Sequence, residues 1–213
     1  MPMKSSSKIM TLFLDIGGVL LTDGWGLDYR SAAAEAFELD PKELELRHHQ
    51  AFDTYESGRL SLDDYLNQVV FHQKRSFTHA QFRDFMLAQS KPYPQMIALV
   101  RGLKAKYGMK ILVVSNEGRE LNAHRIRKFK LDGFVDAFVS SCFVHLRKPD
   151  PEIFRLALDI AQVAPQHVLY IENTPMFIQV AEGLGIPSLL HTDFASTHNK
   201  LASLGLDQDG AVP

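Results

Sequence analysis

Residues 8–20, Lys8-Ile9-Met10-Thr11-Leu12-Phe13-Leu14-Asp15-Ile16-Gly17-Gly18-Val19-Leu20, form an almost unbroken apolar run that carries one carboxylate and two glycines. Apolar side chains at consecutive positions predict a strand covered on both faces, as in a parallel sheet. After the glycine-rich break Thr22-Asp23-Gly24-Trp25-Gly26, which reads as a hinge or flap, the pattern turns helical through Gln89. Asp40 before Pro41, Ser61, and Thr78 with Gln81 three residues on are helix-start signals. They predict helices over 28–38, 41–56, 61–73 and 78–89. Tyr65, Leu66, Val69 and Val70, with Phe82, Phe85 and Met86, recur at helical spacing and are expected to form the inner face of a small bundle.

From Pro94 onward helices alternate with short apolar strands. Helices are predicted over 94–107, 118–130, 151–162 and 175–184, and strands over 110–115, within 134–140, over 168–171 and over 186–190. Strands separated by single helices imply right-handed crossovers and a parallel sheet covered on both faces. The fold class is therefore α/β, with the first strand in the same sheet and the helical segment inserted on the side where ligands bind. The expected organisation is a core of residues 8–23 and 92–205, a four-helix cap over 24–91, and a C-terminal tail over 206–213.

Polar residues fall at the carboxyl ends of these strands. Asp15 ends the first, Ser115-Asn116 the next, Glu172-Asn173 a later one, and Arg147-Lys148-Pro149 precedes a helix. In an open parallel sheet that edge is where ligands bind, and glycines such as Gly17 and Gly18 let backbone amides approach an anion. The bland reading of Asp15-Ile16-Gly17-Gly18 is a turn that needs Asp and Gly. The chemical reading is phosphoryl transfer: a carboxylate attacks phosphorus, Lys148 and the Ser115 hydroxyl hold phosphoryl oxygens, and magnesium offsets the repulsion between anions.

Composition narrows the field. The 213 residues are 46% hydrophobic and 23% charged, with a net charge of −2 and basic residues spread along the chain. That leaves no footprint for nucleic acid or an acidic membrane. The single Cys142 excludes an internal disulfide and suits a reducing compartment, and Cys142 itself reads as a buried small side chain. No apolar run reaches the length of a membrane span or signal peptide, so a cytoplasmic protein, monomeric or a weak homodimer, is expected. The histidines, among them His48-His49, lack metal-ligand spacing and are assigned to the surface or a polar core. Arg147 reads as solvated, and Trp25 either plugs the hinge or stacks on substrate. Tyr29, Arg30, Arg59 and His145 are further candidates for the cleft, but nothing in their spacing selects them.

The ordered motifs Asp15-Ile16-Gly17-Gly18-Val19, Ser115-Asn116, Lys148-Pro149-Asp150-Pro151-Glu152-Ile153-Phe154 and Ile171-Glu172-Asn173-Thr174 resemble the four motifs of the haloacid dehalogenase (HAD) superfamily. The helical insertion is similar to that family's cap, and Tyr55-Glu56-Ser57-Gly58-Arg59-Leu60-Ser61 resembles the cap of its sugar-phosphatase-like and epoxide-hydrolase phosphatase-like members. The resemblance implies a Rossmann-like three-layer core and magnesium-dependent hydrolysis of a small phosphorylated metabolite. It implies Asp15 as nucleophile with Lys148 beside it, and Gly17, Gly18, Ser115, Asn116 and Lys148 around the phosphate. Asp15, Gly17, Glu172 and Asn173 would lie around the metal. Two positions depart from the family. Gly17 replaces the aspartate that usually serves as general acid, although its carbonyl keeps the metal contact, and Asn173 replaces an anionic ligand, so magnesium binding is expected to be weak. The alternatives are a catalytically impaired binder of a phosphorylated ligand or protein and, ranked last because Gly17 is not aromatic, a 2-haloacid dehalogenase.

Overall fold

The computed structural model describes residues 8–207; the serine run at 5–7 and residues 208–213 of the expected tail lie outside the described residues. Strand β1 (Thr11–Leu14) is fully buried and leads through Asp15 into helices α1 (Leu27–Ala36), α2 (Pro41–Glu56), α3 (Leu62–Val69) and α4 (His79–Ala88). The chain then returns through α5 (Pro94–Tyr107), β2 (Lys110–Ser115), α6 (Arg119–Phe129), β3 (Ala137–Ser140) and the single-turn α7 (Ser141–Val144). It ends with α8 (Pro151–Ala161), β4 (Val168–Glu172), α9 (Pro175–Gly183), β5 (Ser188–Leu190) and α10 (Phe194–Ser203).

The five strands form one parallel sheet in the order β3-β2-β1-β4-β5, which puts β1 at its centre. Side chains alternate between faces along each strand. Leu12, Leu14, Ile111, Val113, Leu169 and Ile171 pack with Met96, Leu99, Val100 and Leu103 of α5 and Leu201 of α10. Phe13, Leu112, Val114 and Tyr170 pack on the other face with Ile153, Phe154 and Ala157 of α8 and Ala181 of α9. No helix among the described residues is long and apolar enough to cross a membrane.

The helices between β1 and α5 bury a separate cluster in which Tyr65, Leu66, Val70, Phe82 and Met86 are fully enclosed and Phe85 packs at the edge. Asp40 caps α2, Ser61 caps α3, and Thr78 with Gln81 closes the expected capping box on α4. Leu121 of α6 joins this cluster, so the insertion rests on the sheet domain through apolar contact.

Three expectations about elements change. The helix expected to reach residue 73 ends at Val69: Arg75 Nε takes the Val70 carbonyl at 2.7 Å, and Phe71 turns to stack on His79 and meet Phe77. Helix α10 was not anticipated, although Asp193 caps it by accepting from the Ser196 N–H at 2.8 Å. Leu206, assigned by sequence to a tail, is buried and packs with the core.

Candidate active site

Parallel strands bring their carboxyl ends to one edge, and there Asp15, Ser115, Asn116, Lys148 and Asn173 line a cavity of about 340 Å³. Lys148 is the hub. It is 1% exposed, with Nζ 3.2 Å from Asp15 Oδ1 and 2.6 Å from Glu172 Oε2. The Tyr170 hydroxyl also donates to Glu172 Oε2, and Lys148 Nζ donates to that hydroxyl at 3.3 Å. The other Glu172 oxygen accepts the backbone N–H groups of Asn173 and Thr174, each at 2.9 Å.

These contacts set the charges. Burial raises the Asp15 carboxyl to about 7, and Glu172 adds to the rise while Lys148 and a hydrogen bond from Ser115 oppose it. Burial works to raise Glu172 too, but Lys148, the Tyr170 hydroxyl and the Thr174 N–H outweigh it and hold the group below its usual range. Lys148 is disfavoured by burial, yet its two carboxylates keep it charged and raise it. One buried cation thus serves two anions that differ in basicity.

Four sequence assignments look different in this geometry. Asn116 was expected on the substrate, but its amide donates to the Lys148 carbonyl at 2.9 Å and accepts the Lys148 N–H at 2.8 Å, so it staples the lysine loop. Gly18 was expected to offer its amide to phosphate, but that N–H donates to the Leu21 carbonyl at 2.7 Å. Gly18 is required for another reason: its φ is +71°, and an added Cβ would fall 2.1 Å from the Asn173 amide. Glu172, expected at the metal, has both oxygens committed within the protein. Arg147 is not simply solvated; it pairs with Asp53 at 2.8 Å and Glu56 at 2.7 Å and lies over the Phe52 ring.

The rest of the lining includes residues of the inserted helices and of the connection that leads into them. Trp25, Arg30, His48, Phe52, Tyr55 and Glu56 are among them, so Trp25 faces the cavity while its Nε1 donates to the Tyr65 hydroxyl at 2.9 Å. That hydroxyl lies 2.7 Å from His48 Nδ1, and burial beside Arg30 lowers His48 to about 3. The turn after α2 docks on the sheet domain. Ser141 Oγ donates to the Glu56 carbonyl at 2.6 Å, and a Cβ on Gly58 (φ +69°) would strike the Cys142 carbonyl at 2.2 Å. Cys142 is fully buried.

Sequence reasoning passed over Tyr170, Arg125, Glu117 and Asp23. The two-residue strand period puts Tyr170 on the same face as Glu172, which was a usable signal. Arg125 had none: it is 1% exposed, pairs with buried Glu117, and reaches both connections to the inserted helices through Ser90 Oγ at 3.0 Å and the Thr22 carbonyl at 3.1 Å.

The model of the haloacid dehalogenase-like hydrolase family matches residues 9–185, and the chain belongs to that family of enzymes. It is 25% identical over 152 residues, 71% of its length, to a phosphorylated carbohydrates phosphatase of Thermotoga maritima, and 26% identical over 145 residues, 65% of its length, to the pig (Sus scrofa) bifunctional epoxide hydrolase 2. The matches span 64% and 26% of those relatives' own lengths. A HAD family enzyme from Bacteroides thetaiotaomicron, solved with magnesium and inorganic phosphate, shares the fold with a TM-score of 0.70 at 18% identity, over 85% of this chain and 93% of that one.

Proposed function

We propose that this HAD-family hydrolase is a magnesium-dependent phosphatase of a small phosphorylated metabolite, working through an aspartyl phosphate on Asp15. The observation that carries the reading is the buried contact of Lys148 with Asp15 beside Ser115 in one cavity. The phosphatase among the relatives and the phosphate held by the Bacteroides enzyme support it.

The donor set suits magnesium. Among the described residues no three acidic, histidine or cysteine side chains gather around a point, so the candidate oxygens are the Asp15 carboxylate, the Gly17 carbonyl and, once its amide turns over from the orientation its hydrogen bonds favour, the Asn173 amide. With its nitrogen inward, the Asn173 amide donates to Glu172 Oε1 at 2.8 Å and to the Gly17 carbonyl at 3.2 Å; turned over, it sets its oxygen beside that carbonyl. Magnesium takes such hard oxygens and keeps several waters, and when bound it supplies neutralising charge next to the phosphoryl group. Glu172 acts behind this set, orienting Lys148 and the backbone of Asn173.

The chain's own groups then divide the work. Lys148 and the Ser115 hydroxyl bind phosphoryl oxygens and hold phosphorus in line with the Asp15 carboxylate. The carboxylate forms the P–O bond as the ester bond breaks, and water later cleaves the acyl phosphate. The helical wall limits water during the first step.

Hydrolysis of 4-nitrophenyl phosphate and of a set of phosphorylated sugars by the wild type and Asp15→Asn tests the reading. Magnesium-dependent turnover that is lost in Asp15→Asn is expected. Equal rates in the two proteins overturn it and favour the binder, to which the inward Asn173 nitrogen and Gly17 lend support.

A further inference from the structure

Position 17 carries no side chain, so a phosphatase at this site lacks the usual proton donor for the leaving group. The carboxylates around the cavity differ in one respect. Asp15 and Glu172 are tied to Lys148, Glu56 to Arg147, and Glu117 to Arg125. Asp23, on the connection from the sheet to the inserted helices, lines the same cavity. It is exposed to solvent there, and its carboxylate makes no hydrogen bond or ion pair of its own among the described residues.

Two glycines make room for it. A Cβ built on Gly17 would sit 3.3 Å from Asp23 Oδ1, and one built on Gly26 would sit 3.4 Å from Asp23 Oδ2. The carboxylate therefore borders the space that a side chain at position 17 would enter, and a Cβ at either glycine would press against it, tightly enough at Gly17 to ask a shift of a few tenths of an ångström. Its backbone is held in place: Arg125 donates to the Asp23 carbonyl at 2.5 Å, and the Thr22 hydroxyl donates to the Gln89 carbonyl at 2.7 Å. A group on a loop needs this kind of support to hold a catalytic geometry.

We propose that Asp23 is the catalytic acid and base of this enzyme, its carboxyl reaching from the connecting loop to the space left by Gly17. This rests on the phosphatase reading above. In the first step the bond between phosphorus and the leaving oxygen breaks as Asp15 attacks, and the Asp23 carboxyl gives its proton to that oxygen, releasing a neutral alcohol. In the second, the Asp23 carboxylate takes a proton from the attacking water, the bond between phosphorus and Asp15 breaks, and inorganic phosphate leaves with both carboxyls restored.

The test compares wild type, Asp23→Asn and Asp23→Ala on 4-nitrophenyl, phenyl and benzyl phosphate, whose leaving groups need increasing help from a proton donor. Both variants are expected to lose about 10² to 10⁴ in kcat on benzyl phosphate and far less on 4-nitrophenyl phosphate, with KM little changed. Equal loss on all three substrates, as from a merely structural defect, overturns the inference, as does no loss on any. Turnover that survives in Asp15→Asn, or no turnover of any of the three, overturns the phosphatase reading itself and takes this one with it.

Discussion

Lys148 Nζ stands 3.2 Å from Asp15 Oδ1, although the two residues are 133 positions apart in the sequence and meet only at the carboxyl edge of the sheet. The lysine has no solvent to fall back on, and neither has Glu172 behind it. Lys148→Met is expected to lower kcat by roughly 10² or more, as loss of a preorganised donor to a developing anion does. Stranding two buried carboxylates is also expected to cost about 3–5 kcal/mol in stability. Phosphatase kinetics and urea unfolding check the two effects, and unchanged stability would contradict the buried pairing.

Asn173 supplies an amide where a carboxylate would add charge. Half-maximal turnover is expected only well above low-micromolar magnesium. Asn173→Asp is expected to lower that concentration roughly tenfold, since ligand charge tunes affinity for hard cations. Magnesium titration of turnover in both proteins measures this, and saturation of the wild type at low micromolar ion would refute it.

Arg125 and Glu117 form a buried ion pair under the connections to the inserted helices. Arg125→Met is expected to cost about 3–5 kcal/mol by leaving Glu117 charged and unpaired. Combining it with Glu117→Gln should recover part of that loss, because the stranded charge is removed. Denaturant midpoints of the single and double variants decide the matter.

His48 is held neutral by burial beside Arg30. The Tyr65 hydroxyl, which accepts from Trp25 Nε1, lies 2.7 Å from His48 Nδ1, and a neutral ring with its proton on Nε2 can accept that hydroxyl's hydrogen. With the folded group lowered from 6.5 to about 3, folded and unfolded chains are both neutral at this residue above pH 6.5, and it contributes nothing there. Below pH 6.5 the unfolded chain takes up a proton that the folded one refuses. Stability falls progressively toward pH 3, by on the order of 4 kcal/mol at the acid end. His48→Gln, whose amide oxygen can still accept from Tyr65, should show a shallower loss between pH 7 and 4 in urea unfolding, and equal slopes would argue against the assignment.

Much of the fold was legible in local patterns. Consecutive apolar residues marked β1, caps at Asp40, Ser61 and Thr78 marked three helices, and the alternation after Pro94 marked the parallel sheet. Each is a short-range signal, set by hydrogen bonding within a few residues or by which faces must be covered. Helix α3 ended early because Arg75 and an aromatic contact with His79 intervene, and neither belongs to the helical repeat.

By itself, the sequence determined where the chemistry lies: an aspartate, a serine and a glutamate at the ends of buried strands, which a parallel sheet must bring to one edge, and a lysine in the loop ahead of a helix. Tertiary structure alone decided how those groups divide their bonds. It turned Asn116 into a staple for Lys148, committed both oxygens of Glu172 inside the protein, and set the Asp23 carboxylate between Gly17 and Gly26. The reason is physical: periodicity specifies which face a side chain occupies, but a hydrogen bond depends on positions good to a few tenths of an ångström, and only the packed chain fixes those.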